Sequence, residues 1–364
     1  MTAPILIMAG GTGGHVFPAL AVAECLRAQG AAVVWMGTPT GLEAQVVPPA
    51  GFPVEWIRVA GVRGAGLKRR LSAPFMLLAA LAQAGAALRR RRPAAVLGMG
   101  GFASGPGGIM ARLFGIPLVV HEQNACAGLT NRWLSRLAVR VLEAFPDSFP
   151  PARRAQTVGN PVRADIAALP PPEQRFTGRR GPARLLVLGG SQGAQALNAL
   201  VPAALASWPP AERPEVRHQA GGRWLDFASR AYRDAGVPAQ VTPFIADMAD
   251  AYGWADLVVC RAGAITVAEL AAAGVGAILV PFPFAVDDHQ TANARFLERA
   301  GAAVLAPQAE LTPDRLATLL HARLHDRARL LAMALAARGQ ARPQAAATVA
   351  AVCLEQSRAR ERRP

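Results

Sequence analysis

The sequence predicts an α/β protein made of two Rossmann-like parallel-sheet halves. Short, continuous apolar runs of strand length alternate with longer alanine-rich segments along the chain, as expected of strands covered on both faces by crossover helices. The rhythm also starts twice. Ile5–Gly14 and Leu185–Gly193 are each an apolar run, a Gly-Gly pair, a polar residue, a further glycine and a helical stretch. The length of 364 residues agrees, because single cores stop growing near ~250–300 residues.

The elements follow in order. Ile5-Leu6-Ile7-Met8 reads as the first strand, followed by a glycine turn and a helix through Pro18 to Ala28. Ala32–Met36 is a second strand, and Ala95–Leu97 and Pro117–Val120 follow, each after a helical stretch. The second series opens at Arg184–Leu188 and continues through Leu257–Cys260 and Ala277–Val280. Between the two series, Pro161 to Pro182 is rich in proline and arginine, which puts the boundary near Gly159-Asn160-Pro161. Residues 1–160 then form the first half and 161–341 the second, with Arg342 to Pro364 a helix that crosses back to the first half and ends in a basic tail.

Composition narrows the function classes. Hydrophobic residues at 52% and charged residues at 17% exclude a disordered chain. The formal charge of +15 points to an anionic partner. Lys68 is the sole lysine, however, so the charge is almost all arginine. Aromatics are only 6% and no nucleic-acid-binding module is recognisable, so nucleic acid is not the expected partner. The four cysteines, Cys25, Cys126, Cys260 and Cys353, are scattered, which fits a reducing compartment and no structural zinc. No apolar run reaches the ~20 residues of a membrane span.

Three glycine-rich segments stand at strand ends: Gly10–His15, Gly98–Gly108 and Gly189–Ala194. Such turns let a phosphate approach backbone amides, and the helix behind each offers unpaired N–H groups. Together they suggest a ligand carrying a diphosphate in a crevice between the halves. A Walker A loop is excluded, because Lys68 follows Leu67 and not glycine. The dinucleotide fingerprint fails at Val16, and no acidic residue ends the second strand. Asp-x-Asp occurs nowhere, so neutralisation of a diphosphate falls to amides and to arginines, with Arg163 and Arg261 in suitable loops. No cofactor and no metal are expected. Glu269, early in a helix after Arg261-Ala262-Gly263, suits vicinal ribose hydroxyls or the helix dipole, and Asp287–Asn293 is a dense donor and acceptor set suited to sugar hydroxyls or to a helix cap.

These segments, in this order, closely resemble the MurG family of N-acetylglucosaminyltransferases. The likeness is carried by Gly10–Ala21, Gly98–Gly108, His121-Glu122-Gln123-Asn124, Gly159-Asn160-Pro161-Val162-Arg163, Gly189–Ala194, Arg261–Glu269 and Asp287–Asn293. The resemblance implies a GT-B fold, with two Rossmann-like domains facing across a cleft. It also implies inverting transfer of GlcNAc from UDP-GlcNAc to the 4-hydroxyl of MurNAc on lipid I, giving lipid II. Carried over by motif, Ser191 and Arg163 contact the diphosphate and Ile245 the uracil. Ala264, Ile265, Thr266, Val267, Ala268 and Glu269 line the nucleotide, and Gln290 and Asn293 contact GlcNAc. Thr12, Gly13, Gly14, His15 and Asn124 close over the sugar and the acceptor.

Inversion requires a base at the acceptor hydroxyl. His15 is the candidate, since imidazole titrates near neutrality, and Glu122 is the second, or else the residue that orients the Asn124 loop. The alternative function is another UDP-sugar enzyme of the same fold, an epimerase or glycolipid glycosyltransferase. Lipid I is embedded, so an anionic membrane surface is the expected further partner, on the cytoplasmic face of the inner membrane, and other cell-wall enzymes fit the same setting. Leu67 to Pro93 has the composition for docking: an apolar middle, Phe75–Leu81, flanked by Lys68-Arg69-Arg70 and Arg89–Arg92. The alternative is an ordinary buried helix with solvated ends.

Overall fold

A computed structural model describes residues 3–59, 67–190, 193–285 and 288–361, with side chains from 74 onward in the helix that begins at residue 67 and through 360 in the last one. The chain divides into two compact units, residues 1–163 with 342–364, and residues 164–341.

Unit 1 is a seven-stranded, wholly parallel sheet. Its strands are β1 Ile5–Met8, β2 Val33–Gly37, β3 Val54–Trp56, β4 Ala95–Gly98, β5 Leu118–Glu122, β6 Arg140–Glu143 and β7 Gln156–Thr157, in the order β3-β2-β1-β4-β5-β6-β7. The helices are α1 Gly13–Ala28, α2 Glu43–Val46, α3 Leu67–Arg91, α4 Ser104–Leu113 and α5 Leu129–Leu134. Residues of β1 alternate between two cores: Ile5 and Ile7 join Val16, Val22 and Leu26 of α1, whereas Leu6 and Met8 join Ala84, Leu88 and Ala111 of α3 and α4. That two-sided burial explains why the central strands carry no polar face.

Unit 2 repeats the plan with six parallel strands. These are β8 Arg184–Leu188, β9 Glu215–Gln219, β10 Gln240–Thr242, β11 Leu257–Cys260, β12 Gly276–Leu279 and β13 Ala303–Leu305, ordered β10-β9-β8-β11-β12-β13. Its helices are α6 Ala164–Ala167, α7 Pro172–Phe176, α8 Gln195–Ala206, α9 Leu225–Asp234, α10 Met248–Trp254, α11 Ala264–Ala273, α12 His289–Arg299, α13 Pro313–Leu324 and α14 Arg327–Gly339. The proline- and arginine-rich stretch is tied down by its arginines. Arg179 pairs with the buried Asp256, whose other oxygen accepts from Arg184 N at 3.0 Å, and Arg175 donates to carbonyls of Tyr252, Ala273 and Gly274. The last helix, α15 Ala345–Glu361, packs on α1 and β4 of unit 1.

The strands named from the sequence are present, with ends shifted by one or two residues. The largest difference is at α1, which starts at Gly13 and not near Pro18, so Gly13, Gly14 and His15 form its first turn. No described helix is long and apolar enough to cross a membrane.

Candidate active site

Each sheet reverses its strand order once, between β1 and β4 in unit 1 and between β8 and β11 in unit 2. Open α/β sheets bind ligands at these switch points, beyond the carboxyl ends of the strands. In both units the two flanking strands run into glycine turns.

In unit 1, Thr12 is the residue before α1, with extended backbone, and its carbonyl accepts from His15 N at 3.1 Å and Val16 N at 3.2 Å. Its side chain makes no capping bond, so the amides of Gly13 and Gly14 face outward from an uncapped helix start. The turn after β4 interlocks with this one. Gly100 and Gly101 both have positive φ, +96° and +82°. A Cβ at Gly100 would lie 2.9 Å from the His15 ring, and one at Gly101 would lie 2.4 Å from Gly10 O, so only glycine permits the contact.

Polar side chains brace these turns from within the unit. The fully buried Glu43 carboxylate accepts from Gly11 N at 2.9 Å, Thr38 N at 2.9 Å and Thr38 Oγ1 at 2.7 Å. Ser104 Oγ lies 2.7 Å from Gly100 O and 3.0 Å from Met8 O. At the end of β5, Gln123 Oε1 is 2.9 Å from His15 Nδ1, and Gln123 Nε2 is 3.1 Å from Nδ1 of the buried His121. Burial pushes the His121 imidazolium down to about 4, so this ring is neutral near pH 7. Glu122, also buried, accepts from Asn124 N at 2.9 Å, Asn124 Nδ2 at 3.1 Å, Gly128 N at 3.1 Å and Asn131 Nδ2 at 2.9 Å. Four donors hold one carboxylate, an arrangement suited to shaping the Asn124 loop.

In unit 2, Gly189, Gly190 and Gly193 turn from β8 into α8; Ser191 lies outside the described residues, as does Asp287. Gly263 opens α11 with extended backbone and no side-chain cap. Along α11, Ala264 and Val267 point into the core while Ile265, Thr266, Ala268 and Glu269 are half-buried. Glu269 stands in the second turn, too far along for the helix start to be its main partner, and accepts from Tyr252 OH at 3.0 Å. Gln290 Oε1 accepts from Phe282 N at 2.9 Å, and the buried Asn293 Nδ2 donates to Ala262 O at 3.2 Å, so both steady the turns after β11 and β12. Ile245 is half-buried in the segment after β10, and Arg163 is the half-buried last residue of unit 1 before α6.

Arg261, a candidate for the diphosphate from the sequence, is hydrogen-bonded within unit 2. Its guanidinium donates to Val280 O, Pro281 O and Gln308 Oε1 at 3.2, 3.1 and 2.7 Å. Burial lowers its pKa, and its donors tie the turn after β11 to the end of β12 and to Gln308. Sequence reasoning missed Glu43 and assigned no role to Gln123 or His121. The available signals were a carboxylate in the glycine-flanked stretch after β2, and two polar residues continuing an apolar strand. A cavity of 740 Å³ lined by Asp226, Arg230, Tyr232 and Val241, and another of 590 Å³ lined by Cys126, Arg132, Asp147 and Arg153, contain none of the candidate residues.

Residues 5–143 match the glycosyltransferase family 28 N-terminal domain, and residues 184–349 match its C-terminal domain. The chain is 62% identical over 358 residues to the UDP-N-acetylglucosamine–N-acetylmuramyl-(pentapeptide) pyrophosphoryl-undecaprenol N-acetylglucosamine transferase of Alkalilimnicola ehrlichii, covering 98% of this chain and 100% of the relative. The enzyme of the same name from Nitrosococcus oceani is 59% identical, covering 98% and 99%. Among solved structures, MurG of Acinetobacter baumannii aligns with TM-score 0.85 and 44% identity over 96% of this chain and 99% of that one. The UDP-GlcNAc 2-epimerase of Neisseria meningitidis aligns at TM-score 0.67 and 12% identity, covering 96% and 99%, which is a likeness of fold alone.

Proposed function

The chain belongs to the MurG enzymes of glycosyltransferase family 28, a GT-B family, and on that footing we propose how its residues divide the reaction. The activity is transfer of N-acetylglucosamine from UDP-GlcNAc to lipid I, the undecaprenyl-pyrophosphoryl N-acetylmuramyl pentapeptide, which forms lipid II for peptidoglycan synthesis.

Unit 2 takes the donor. Ile245 meets the uracil through its backbone, Ala264 to Ala268 line the nucleotide, and Glu269 accepts from the ribose hydroxyls. The uncapped start of α11 and the half-buried edge formed by Ile265, Thr266, Ala268 and Glu269 support this reading. Ser191 and Arg163 contact the diphosphate, while Gln290 and Asn293 contact the sugar. The bonds of Gln290 to Phe282 N and Asn293 to Ala262 O support a role in which they also set the shape of the sugar subsite.

Unit 1 takes the acceptor. Thr12, Gly13, Gly14 and Asn124 line its place, and His15 removes the proton from the 4-hydroxyl as the new glycosidic bond forms and UDP departs with inversion. A general base supplies roughly 10²–10⁴ in rate. Glu122 orients the Asn124 loop; its four donors support that assignment over a second base. The observation that carries the reading is that both switch points open on glycine turns running into helices, while the turns of the first also hold a histidine, bonded to Gln123. The test is UDP release from UDP-GlcNAc with and without lipid I. Release should require the acceptor and match lipid II formed; equal release without acceptor, or conversion of UDP-GlcNAc to an epimer, would refute it.

Docking of unit 1 on anionic lipid at the cytoplasmic face of the inner membrane completes the proposal. Phe75, Leu77 and Leu78 of α3 are 75, 47 and 64% exposed, although the same helix buries Ala80, Ala84 and Leu88. α4, which packs on α3, exposes Leu113, and α5, which packs on α4, exposes Leu129 and Trp133. Large apolar side chains bared on three successive helices suit a membrane contact. Arg90 and Arg91 pair with Glu55, and Arg89 lies 4.9 Å from the Phe114 ring centre. The basic end of α3 is therefore partly committed within the unit, and apolar contact carries more of the docking than the sequence suggests.

A further inference from the structure

Gln123 joins two histidines, and the bonds around it leave one arrangement of protons. At the far end, His121 Nε2 is 3.0 Å from the carbonyl oxygen of Gly159. A carbonyl only accepts, so that nitrogen carries hydrogen. The ring is buried and neutral, so its Nδ1 is bare and accepts from Gln123 Nε2 at 3.1 Å. The second amide hydrogen goes to His121 O at 3.2 Å. Turned over, the amide would set its oxygen against two acceptors, so the orientation is locked. Gln123 Oε1 therefore faces His15 Nδ1 at 2.9 Å, and that nitrogen must be the donor.

We propose that Gln123 and His121 are positioning residues that hold His15 as its Nδ1–H tautomer, leaving the Nε2 lone pair to receive the acceptor's proton. The proposal rests on the reading of His15 as base. The relay is anchored in the backbone. Gly159 has φ +86°, and a Cβ there would come within 2.3 Å of Arg342 Cβ, so its carbonyl direction is tied to a glycine. Asn160 Nδ2 donates to Gln123 O at 2.9 Å and fixes the same segment. Once His15 gains its second proton, Gln123 Oε1 keeps its bond to Nδ1–H. The amide thus fills the orienting place that a carboxylate holds in a Ser-His-Asp triad.

The direct test is ¹⁵N NMR of histidine-labelled full-length protein near pH 8. The spectrum should show His15 protonated on Nδ1 and His121 on Nε2. In Gln123→Met, His15 should lose its single tautomer, and kcat should fall at least about tenfold with KM for UDP-GlcNAc unchanged. The acid limb of the pH–rate profile should move to lower pH in Gln123→Met, which removes the acceptor that favours the imidazolium, and to higher pH in Gln123→Glu, which replaces that acceptor with a negative charge. A merely structural role would not shift the limb in opposite directions. Finding His15 protonated on Nε2 in the unmodified protein overturns the proposal, whether or not the variants fold. His15→Ala separates the two readings: normal turnover there removes His15 as base, while the tautomer measurement stands independently.

A second inference comes from unit 2, where His321, His325 and Glu212 converge. His321 lies in the last turn of α13 and His325 follows its end, while Glu212 closes the short 3₁₀ turn Pro210–Glu212. Glu212 Oε2 is 4.0 Å from His321 Nε2 and 3.8 Å from His325 Nε2, and the three ligand atoms all lie within 4.8 Å of one another. His325 Nδ1 donates to His321 O at 3.3 Å, which leaves Nε2 aimed at the cluster. Two ligands ~2.1 Å from a tetrahedral ion stand about 3.4 Å apart, so the two Glu212 separations shorten by about half an ångström and the remaining pair by at most about 1.4 Å to close the set. We infer a His₂Glu site for Zn²⁺ or a similar divalent transition ion, open to water at its remaining position. Titrating the full chain with Zn²⁺ by calorimetry should give one site that His321→Ala and His325→Ala each weaken at least about tenfold. Binding weaker than millimolar, or equal binding in both exposed-residue variants, overturns this inference.

Discussion

Replacing Glu43 with Gln should loosen the first glycine turn while leaving UDP binding intact. The carboxylate is fully buried and accepts three hydrogen bonds, one from Gly11 N and two from Thr38. An amide of the same shape has one accepting oxygen. If that oxygen stays on Thr38, the NH₂ meets the Gly11 N–H, and a buried donor is left without a partner. The orphaned donor costs about 1–3 kcal/mol, and the lost charge-assisted bond adds to it. We expect a total of about 2–4 kcal/mol, a large share of a typical domain stability of ~5–15 kcal/mol. The new group has no room to turn aside. A Cβ on Gly10, Gly37 or Gly41 would come within 2.4, 2.7 and 2.1 Å of Glu43 atoms, so glycine backbone already encloses the side chain. The turn must therefore move, and with it Thr12, Gly13 and His15. Urea unfolding, UDP titration and transfer kinetics with lipid I together make the assay. The variant should lose stability and kcat/KM for lipid I and keep its dissociation constant for UDP. Stability within ~0.5 kcal/mol of the parent protein together with unchanged kcat/KM would refute the reasoning.

Three further outcomes follow from the same geometry. Glu269→Ala should weaken UDP by about 10–100-fold, the worth of a hydrogen bond to a charged group, and an unchanged dissociation constant contradicts the ribose assignment. Acid should destabilise both units through buried neutral histidines: burial holds His121 at about 4 and His218 at about 3, against ~6.5 unfolded. Between those values the unfolded chain binds the extra protons, so stability is complete above about pH 6.5 and falls with pH below it. At ~1.4 kcal/mol per pH unit for each ring, the loss from pH 7.5 to pH 5 is about 4 kcal/mol, and histidine ring signals that titrate as six ordinary imidazoles would contradict it. Finally, Phe75, Leu77 and Leu78 all changed to Ser should abolish sedimentation with anionic vesicles without altering UDP affinity; undiminished sedimentation would remove α3 from the docking surface.

The central strands were legible because they are buried on both faces, and such strands read as unbroken apolar runs, as in Leu257–Cys260. The edge strands were not. Val54–Trp56, Gln156–Thr157 and Gln240–Thr242 have two or three residues each and mixed polarity, so no period can be counted. β9 escaped for another reason. Its His218 is polar yet fully buried, satisfied by Tyr232 OH and Asn198 Oδ1 at 2.9 Å each, partners that only the tertiary fold supplies. The glycine turns were legible as turns. Their bracing was not, because Glu43 reaches across 32 residues to Gly11 and Gln123 across 108 to His15. Arg261 shows the same limit from the other side. Its charge and its loop are written in the sequence, but which acceptors claim its donors is decided by the end of β12 and by Gln308.

One topology used twice need not do one job twice, and the difference between the switch points gives a physical reason for dividing the labour. Proton transfer needs a titratable group whose proton stands on a defined atom, and that requires a chain of donors and acceptors with no ambiguous member. The unit 1 switch point has such a chain from the Gly159 carbonyl to His15, and a buried carboxylate fixes the turn that carries it. Nucleotide and diphosphate recognition instead needs backbone amides left open and a shape that does not change with pH. At the unit 2 switch point α11 starts on Gly263, which has no side chain to lay over the helix start, and Cys260, just before it, is a buried thiol whose pKa burial raises, so it stays neutral. If the roles were exchanged, the base would have to come from Glu269, whose Oε2 already accepts from Tyr252. Exchanged roles would also make substitutions at Gln123 change UDP affinity and substitutions at Glu269 change the pH profile, the reverse of what the two networks predict.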